Sequence, residues 1–234
     1  MKAVILAAGE GTRMRPLTLA VPKPMVPLAG KPLLEHVIAS LPEEVDSLIL
    51  VVGYLQEKIR SYFGSRYRRF AIEYVVQPEK QGTYRALELC RSRLSGGERF
   101  LVLYADDVHG AEGLAACAKC SDYGLLVSEV EDPRRFGVVE LDADGMIRSI
   151  EEKPEQPKSH LVLTGPMVLD KTVFEYEARR HPNGEYYLTD SLEQMIRDGR
   201  RMRAIASDLW LPINTLEDLE AAMEKAISKE WVAV

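Results

Sequence analysis

The sequence predicts an α/β fold, a parallel sheet covered on both faces by helices, and three observations predict it. Continuous apolar runs recur at 2–7, 47–54 and 99–104. Segments of helical character separate them, and the first run ends in the glycine-bearing loop Gly9-Glu10-Gly11-Thr12-Arg13. A strand that is apolar on both faces must be buried on both, which crossover helices provide.

In chain order, residues 2–7 read as a buried strand and 33–41 as a helix opened by Pro32. A second apolar strand at 47–54 precedes a helix at 55–63, and an alternating strand at 70–76 precedes a helix at 83–93. The apolar run 99–104 is the third buried strand. The helical segment AEGLAACAKC follows at 111–120. The texture then changes to shorter strands at 123–130, 136–141 and 146–151, with a turn at Asp142-Ala143-Asp144-Gly145. A strand at 161–169, helices at 171–178 and 188–199, a short strand at 202–206 and a helix at 215–229 complete the reading. No repeat, linker or low-complexity stretch divides the chain.

Composition narrows the function. The 234 residues can bury a sizeable core, and 46% hydrophobic with 28% charged residues is ordinary for a globular protein. A net charge of −6 argues against nucleic-acid partners and anionic membranes. No apolar run approaches the ~20 residues of a membrane-spanning helix. The N-terminus enters a strand directly, without the features of a signal peptide, so a cytoplasmic protein is expected. Three cysteines make no disulfide framework. Cys117 and Cys120 form a CxxC, but no second ligand pair follows at zinc spacing, so packing is the expected role. The histidines 36, 109, 160 and 181 show no ligand pattern, and His36 is expected to be a partly buried structural residue.

Chemistry concentrates at the end of the first strand. Glycines let backbone N–H groups approach phosphate oxygens, and Arg13, Arg15 and Lys23 add positive charge, with arginine able to grip two oxygens at once. The loop is not a P-loop, because no Lys-Ser/Thr follows a second glycine. It is not the dinucleotide fingerprint either, because Met14 occupies the place of the third glycine.

Leu6 to Pro32, LAAGEGTRMRPLTLAVPKPMVPLAGKP, resembles the signature LAAGxGTRLRPLT…PKPL/M of the sugar-1-phosphate nucleotidylyltransferases. The resemblance implies a three-layer sandwich with a mixed, mostly parallel, Rossmann-like sheet. It also implies one nucleotidyltransferase domain over 1–234, its nucleotide half at about 1–110 and its sugar-phosphate half at about 111–234, without the hexapeptide-repeat β-helix of longer members. Leu6, Ala8, Gly9, Gly11, Thr12 and Arg13 would then bind nucleotide, with Arg13 and Lys23 as catalytic cations.

Further motifs extend the likeness. Gln77-Pro78-Glu79-Lys80-Gln81-Gly82-Thr83 is similar to the base-reading segment of uridylyl- and thymidylyltransferases. The amide of Gln77 can pair with the carbonyl and adjacent N–H of uracil or thymine, Gly82 would let backbone pass close to the base, and Thr83 completes the segment. Tyr84-Arg85 departs from the smaller residues usual there, and a narrowed base pocket is expected. Leu103-Tyr104-Ala105-Asp106 is similar to LxGD, which gives Asp106 a nucleotide and Mg²⁺ role. Ala105 replaces the glycine, so its methyl is expected to press on the nucleotide.

On the sugar-phosphate side, Phe136-Gly137-Val138-Val139 and Glu151-Glu152-Lys153-Pro154 resemble YGxV and EKP. They assign Gly137, Glu152 and Lys153 to that substrate. Thr164 and Tyr187 join them through Thr164-Gly165 and Gly184-Glu185-Tyr186-Tyr187-Leu188-Thr189-Asp190. Leu163 favours an unacetylated hexose, whereas the latter segment resembles N-acetylglucosamine-1-phosphate uridylyltransferases, so sugar identity stays open. Where many members carry a second metal carboxylate this chain has Pro212, and Asn214 is the expected second Mg²⁺ ligand, with Thr215 as helix cap.

The expected activity is Mg²⁺-dependent transfer of a nucleotidyl group from UTP or dTTP to a sugar 1-phosphate, releasing pyrophosphate. Two alternatives remain: a GTP- or CTP-dependent enzyme acting on another phosphate, and a non-catalytic nucleotide-sugar-binding homologue. An oligomer is possible, but no residue pattern specifies one.

Overall fold

A computed structural model describes residues 1–227. The strands are β1 (Lys2–Ala7), β2 (Pro27–Leu28), β3 (Lys31–Pro32), β4 (Ser47–Val52), β5 (Arg66–Tyr67), β6 (Phe70–Val76) and β7 (Phe100–Tyr104). They continue as β8 (Asp107–His109), β9 (Tyr123–Glu129), β10 (Gly137–Leu141), β11 (Ile147–Glu152), β12 (Leu161–Leu169), β13 (Met202–Ala206) and β14 (Trp210–Pro212). The helices are α1 (Leu17–Ala20), α2 (Leu33–Ala39), α3 (Gln56–Phe63), α4 (Thr83–Glu88), α5 (Ala111–Lys119), α6 (Leu188–Arg197) and α7 (Leu216–Ile227).

Ten strands form one sheet ordered β11-β10-β12-β7-β1-β4-β6-β5, with β9 pairing β12 and β13. Strand β1 lies parallel to β4 and β7, and β4 lies parallel to β6. The parallel centre is built from the predicted apolar runs: Val4, Ile5, Ile49, Leu50, Leu101 and Val102 are fully buried. Apolar side chains fill both faces, with Leu34, Val37, Ile59, Phe63 and Leu114 on one and Leu87, Leu188, Leu192 and Met195 on the other. The second half is mostly antiparallel, through β12 with β7, β9 and β10 and through β10 with β11, with β13 parallel to β9 at the edge, so the sheet is mixed. None of the helices described is long and apolar enough to cross a membrane.

Several predicted elements shorten. The helix expected at 83–93 stops at Glu88 and resumes only as a 3₁₀ turn at Arg91–Arg93. The helix expected at 171–178 is a 3₁₀ turn at Lys171–Glu175, entered by Asp170, whose carboxylate accepts from Thr172 N at 2.9 Å. This short turn buries Val173 and Phe174. The last helix is described to Ile227, and its predicted residues 228–229 lie outside the described residues.

Two small ribbons had no pattern long enough to announce them. Strands β2 and β3 form a hairpin, and β8 pairs antiparallel with β14, bringing Pro212 opposite Asp107. The second ribbon sets residues 213–218 beside the loop after β7, where Ile213 N donates to Asp106 O at 3.3 Å.

Candidate active site

Parallel strands that end on one edge collect their following loops there. The Gly9 loop follows β1, Gln77 follows β6 and Asp106 follows β7. Ala105 N donates to Leu6 O at 3.1 Å and Gln77 N to Val52 O at 2.8 Å, so the ladder carries each loop's start into the site. Two adjoining cavities open there, of about 220 and 540 Å³, and Thr83, Tyr104, Asp106 and Tyr187 line both.

The smaller cavity is lined by Leu6, Ala8, Gly9, Lys23, Gln77 and Gly82. Gly11 and Thr12 line neither cavity. Gly11 instead shapes the loop: its φ is +63°, and a Cβ there would lie 2.8 Å from Lys23 Cβ. A Cβ at Gly9 would meet nothing within 4 Å, so the space on that side of the residue is open. Arg15 sits at the rim, 3.7 Å from Glu10, and lines neither cavity.

Gly82 lines the smaller cavity and also carries a constraint that the sequence did not show. Its φ is +89°, and a Cβ would lie 2.4 Å from Tyr186 O, so the close approach is to the 184–188 segment of the other half. Tyr186 N donates to Gln81 O at 2.9 Å, Tyr84 N to Tyr186 O at 3.0 Å and Leu188 N to Thr83 Oγ1 at 3.0 Å. These bonds stitch the base-side loop to the sugar-side loop. Among the described residues the Gln77 amide donates only to Gly82 O, at 3.4 Å.

The narrowed base pocket does not occur. Tyr84 is 1% exposed and packs in the core, and Arg85 pairs with Glu88 and Glu177 away from the cavity. Ala105 is also 1% exposed, with its methyl packed among the core residues on the α2–α3 face. The residue still borders the smaller cavity.

The junction between the cavities holds the charges. Lys23 Nζ lies 2.6 Å from Asp106 Oδ2 and 3.2 Å from Asn214 Oδ1, which also accepts from Arg13 Nη2 at 2.9 Å. A carboxylate and an amide oxygen thus converge on one cation, and both are hard donors of the kind Mg²⁺ takes. The set fits the ion sparsely: among the described residues no group of three or more His, Cys, Asp and Glu could hold a metal. Phosphate oxygens and water would have to complete the shell. Neighbouring Asp107 is nearly buried, and that burial, with Asp106 beside it, pushes its carboxyl well above the usual range.

The larger cavity takes Gly137, Glu152, Lys153, Thr164 and Tyr187, together with Arg13 and Asn214. Glu152 Oε2 accepts from Thr189 Oγ1 at 2.8 Å, and its Oε1 lies 3.1 Å from Lys153. Burial disfavours the Lys153 charge, but Glu152 and Tyr187 more than offset it and raise its pKa. The Lys153 ammonium stands 4.1 Å from the Tyr187 ring centroid. Thr164 is less free than expected, since its hydroxyl donates to Leu126 O at 3.2 Å. It precedes Gly165, whose φ of +118° and close approach to Tyr104 mark the register shift in β12.

The motifs did not assign the wall itself. Phe136 and Trp210 meet edge to face at 5.3 Å and, with Leu163 and Met167, form an apolar side to the larger cavity. Arg134 and Arg135 border it as well. Of these residues, Phe136 lay within the FGVV motif and Leu163 was read for sugar identity, while Met167, Trp210, Arg134 and Arg135 had no assigned role. His36 is more buried than expected, bonded through Nε2 to Leu28 O at 2.8 Å.

The fold and this site define an α/β protein with two adjoining cavities on one sheet edge and clustered cations and oxygen donors where they meet. Residues 2–229 match the nucleotidyl transferase family, and the chain belongs to it. It is 36% identical to UTP–glucose-1-phosphate uridylyltransferase AglF of Haloferax volcanii over 96% of both chains. It is also 36% identical to bifunctional protein GlmU of Methanocaldococcus jannaschii, over 96% of this chain and 55% of that protein. The chain spans about half the length of several curated relatives it matches. A crystal structure of UDP-glucose pyrophosphorylase complexed with UDP-glucose superposes with a TM-score of 0.88 at 24% identity, covering 97% of this chain and 98% of that one.

Proposed function

We propose that the protein transfers a nucleotidyl group from UTP or dTTP to a sugar 1-phosphate, with Mg²⁺, releasing pyrophosphate. One observation carries the reading: Arg13, Lys23, Asp106 and Asn214 converge where the two cavities meet. A base and ribose in the smaller cavity and a sugar in the larger would bring their phosphates to that junction. The likeness to AglF supports UTP and glucose 1-phosphate as the first pair to test.

The attacking group is a phosphate oxygen of the sugar phosphate, largely dianionic near neutral pH because its second pKa is ~6. No general base is required. The new bond forms at the α-phosphorus, the bond to the β-phosphate bridging oxygen breaks, and pyrophosphate leaves with that electron pair. Catalysis then rests on positioning and charge neutralisation. Arg13 and the Gly9–Gly11 backbone would take the β- and γ-phosphates, Lys23 the α-phosphate, and Lys153 the incoming one. Glu152, held by Thr189, would accept from sugar hydroxyls. Asp106 and Asn214 would hold Mg²⁺, which supplies further neutralisation of phosphate charge when bound. Gln77 would read the base, a role that favours pyrimidines with a carbonyl beside an N–H.

The reading divides the chain into a nucleotide half and a sugar-phosphate half within one domain. It carries with it a cytoplasmic location, where nucleoside triphosphates are available. Incorporation of labelled pyrophosphate into UTP from UDP-glucose tests it by the reverse reaction. Incorporation supports it, and none with UDP- or dTDP-sugars would overturn it.

A further inference from the structure

We propose that Asp218 is a positioning residue: it fixes Asn214 so that the amide oxygen stands where Lys23, Arg13 and Asp106 meet. The inference rests on the metal role given to Asn214 above.

Helix α7 starts at Leu216, and Thr215 caps it. Asp218 N donates to Thr215 Oγ1 at 3.2 Å, and Asp218 Oδ2 accepts from Thr215 N at 2.8 Å, a reciprocal capping box. An ordinary box ends there. Here Oδ2 also accepts from Asn214 N at 2.8 Å, one residue ahead of the cap. The carboxylate therefore holds two consecutive N–H groups and fixes the peptide between them.

Asn214 is clamped from its other side as well. Ile213 is fully buried, and its N–H donates to Asp106 O, so the backbone before Asn214 is tied to the loop that carries the metal carboxylate. Leu219, next to Asp218, is buried in the cluster with Ile213, Val108 and Met14. An asparagine side chain has two rotatable bonds, so a fixed backbone limits its oxygen to the few regions its rotamers reach. The one it occupies lies 2.9 Å from Arg13 Nη2 and 3.2 Å from Lys23 Nζ. A neutral ligand binds a cation weakly, and its placement matters correspondingly more.

Two substitutions separate the clamp from the cap. Asp218→Glu keeps an acidic capping-box residue but moves the acceptor by one methylene, away from Asn214 N. Thr215→Ala removes the hydroxyl cap and leaves the bond from Asn214 N to Asp218. Mn²⁺ binding in the presence of UDP-glucose, followed by the electron paramagnetic resonance signal of free Mn²⁺, reads the site without turnover, and thermal unfolding reads the helix. Asp218→Glu is expected to weaken Mn²⁺ by about three- to tenfold, the value of one hydrogen bond, with little change in Tm. Thr215→Ala is expected to lower Tm and leave Mn²⁺ affinity within about twofold. Unchanged Mn²⁺ affinity in Asp218→Glu, or losses that follow Tm in both variants, would overturn the inference. Asn214→Ala tells the two failures apart. If it leaves Mn²⁺ binding unchanged, the role of Asn214 falls and the inference with it. If it weakens binding while Asp218→Glu does not, the inference alone falls.

Discussion

Replacing Gly82 by alanine should damage stability and nucleotide binding together. The added Cβ would lie 2.4 Å from Tyr186 O, 2.7 Å from Tyr186 N and 3.0 Å from Tyr186 C, distances that backbone atoms do not tolerate. Tyr186 cannot retreat without breaking its bonds to Gln81 O and from Tyr84 N. At φ 89° and ψ −179°, residue 82 is also in a region that only glycine occupies readily. Strain there costs ~1–3 kcal/mol, and each lost hydrogen bond adds ~0.5–1.5 kcal/mol, so the total is about 2–6 kcal/mol. For a chain of this size that lowers Tm by about 5–20 °C. Differential scanning calorimetry measures this, and the KM for UTP should rise in whatever fraction stays folded, because the loop bearing Gln77 shares the displaced seam. A Tm within 1 °C of the parent (about 0.3–0.5 kcal/mol) would refute the reasoning, since it would mean that the loops are not stitched as described.

Gly9→Ala is the contrasting case: a Cβ there meets nothing, so Tm should hold, while UTP binding by calorimetry should weaken if phosphate occupies that space. Arg13→Ala should lower kcat/KM by about 100-fold or more, the usual loss for a donor acting in the transition state, and a change below about threefold would remove Arg13 from the site. Gln77→Glu should penalise UTP and dTTP about tenfold more than GTP, since the carboxylate loses the donor to the base carbonyl; equal losses would limit Gln77 to loop support. His109 is buried with neither ring nitrogen bonded to any described residue, and burial pushes its pKa down to about 3. The unfolded chain gains this proton near pH 6.5 and the folded protein does not, so stability is full above that pH and declines as pH falls toward 3. His109→Gln should flatten the fall in Tm between pH 7.5 and 5 (chosen to bracket ~6.5), and an unchanged slope would contradict this.

What the sequence revealed tracked how local the determinant was. The parallel centre was legible because Ala3–Leu6, Leu48–Val52 and Leu101–Leu103 must be buried on both faces wherever they sit. The phosphate loop was legible because glycines and cations lie close together in the chain. The purpose of Gly82 was not, since its constraint comes from Tyr186, more than a hundred residues away. Tyr84 misled for a related reason: α4 packs so that Tyr84 faces the core, and only the packing showed which way it faced. The ribbons β2–β3 and β8–β14 are too short for a periodic signal, yet the second places Asn214 beside Asp106. Asp218 carried no sequence signal of its own, because its bond from Asn214 N exists only once the turn is formed.

The central claim is best tested with purified protein, Mg²⁺, and a matrix of UTP, dTTP, GTP, CTP and ATP against glucose 1-phosphate, N-acetylglucosamine 1-phosphate and mannose 1-phosphate, scored by pyrophosphate release and identification of the nucleotide sugar. The account predicts UDP- or dTDP-sugar formation at the highest kcat/KM in the matrix, abolished by chelation of Mg²⁺. Highest turnover with GTP or CTP would contradict the role of Gln77, and no pyrophosphate from any pair would contradict catalysis at the junction of Arg13, Lys23, Asp106 and Asn214.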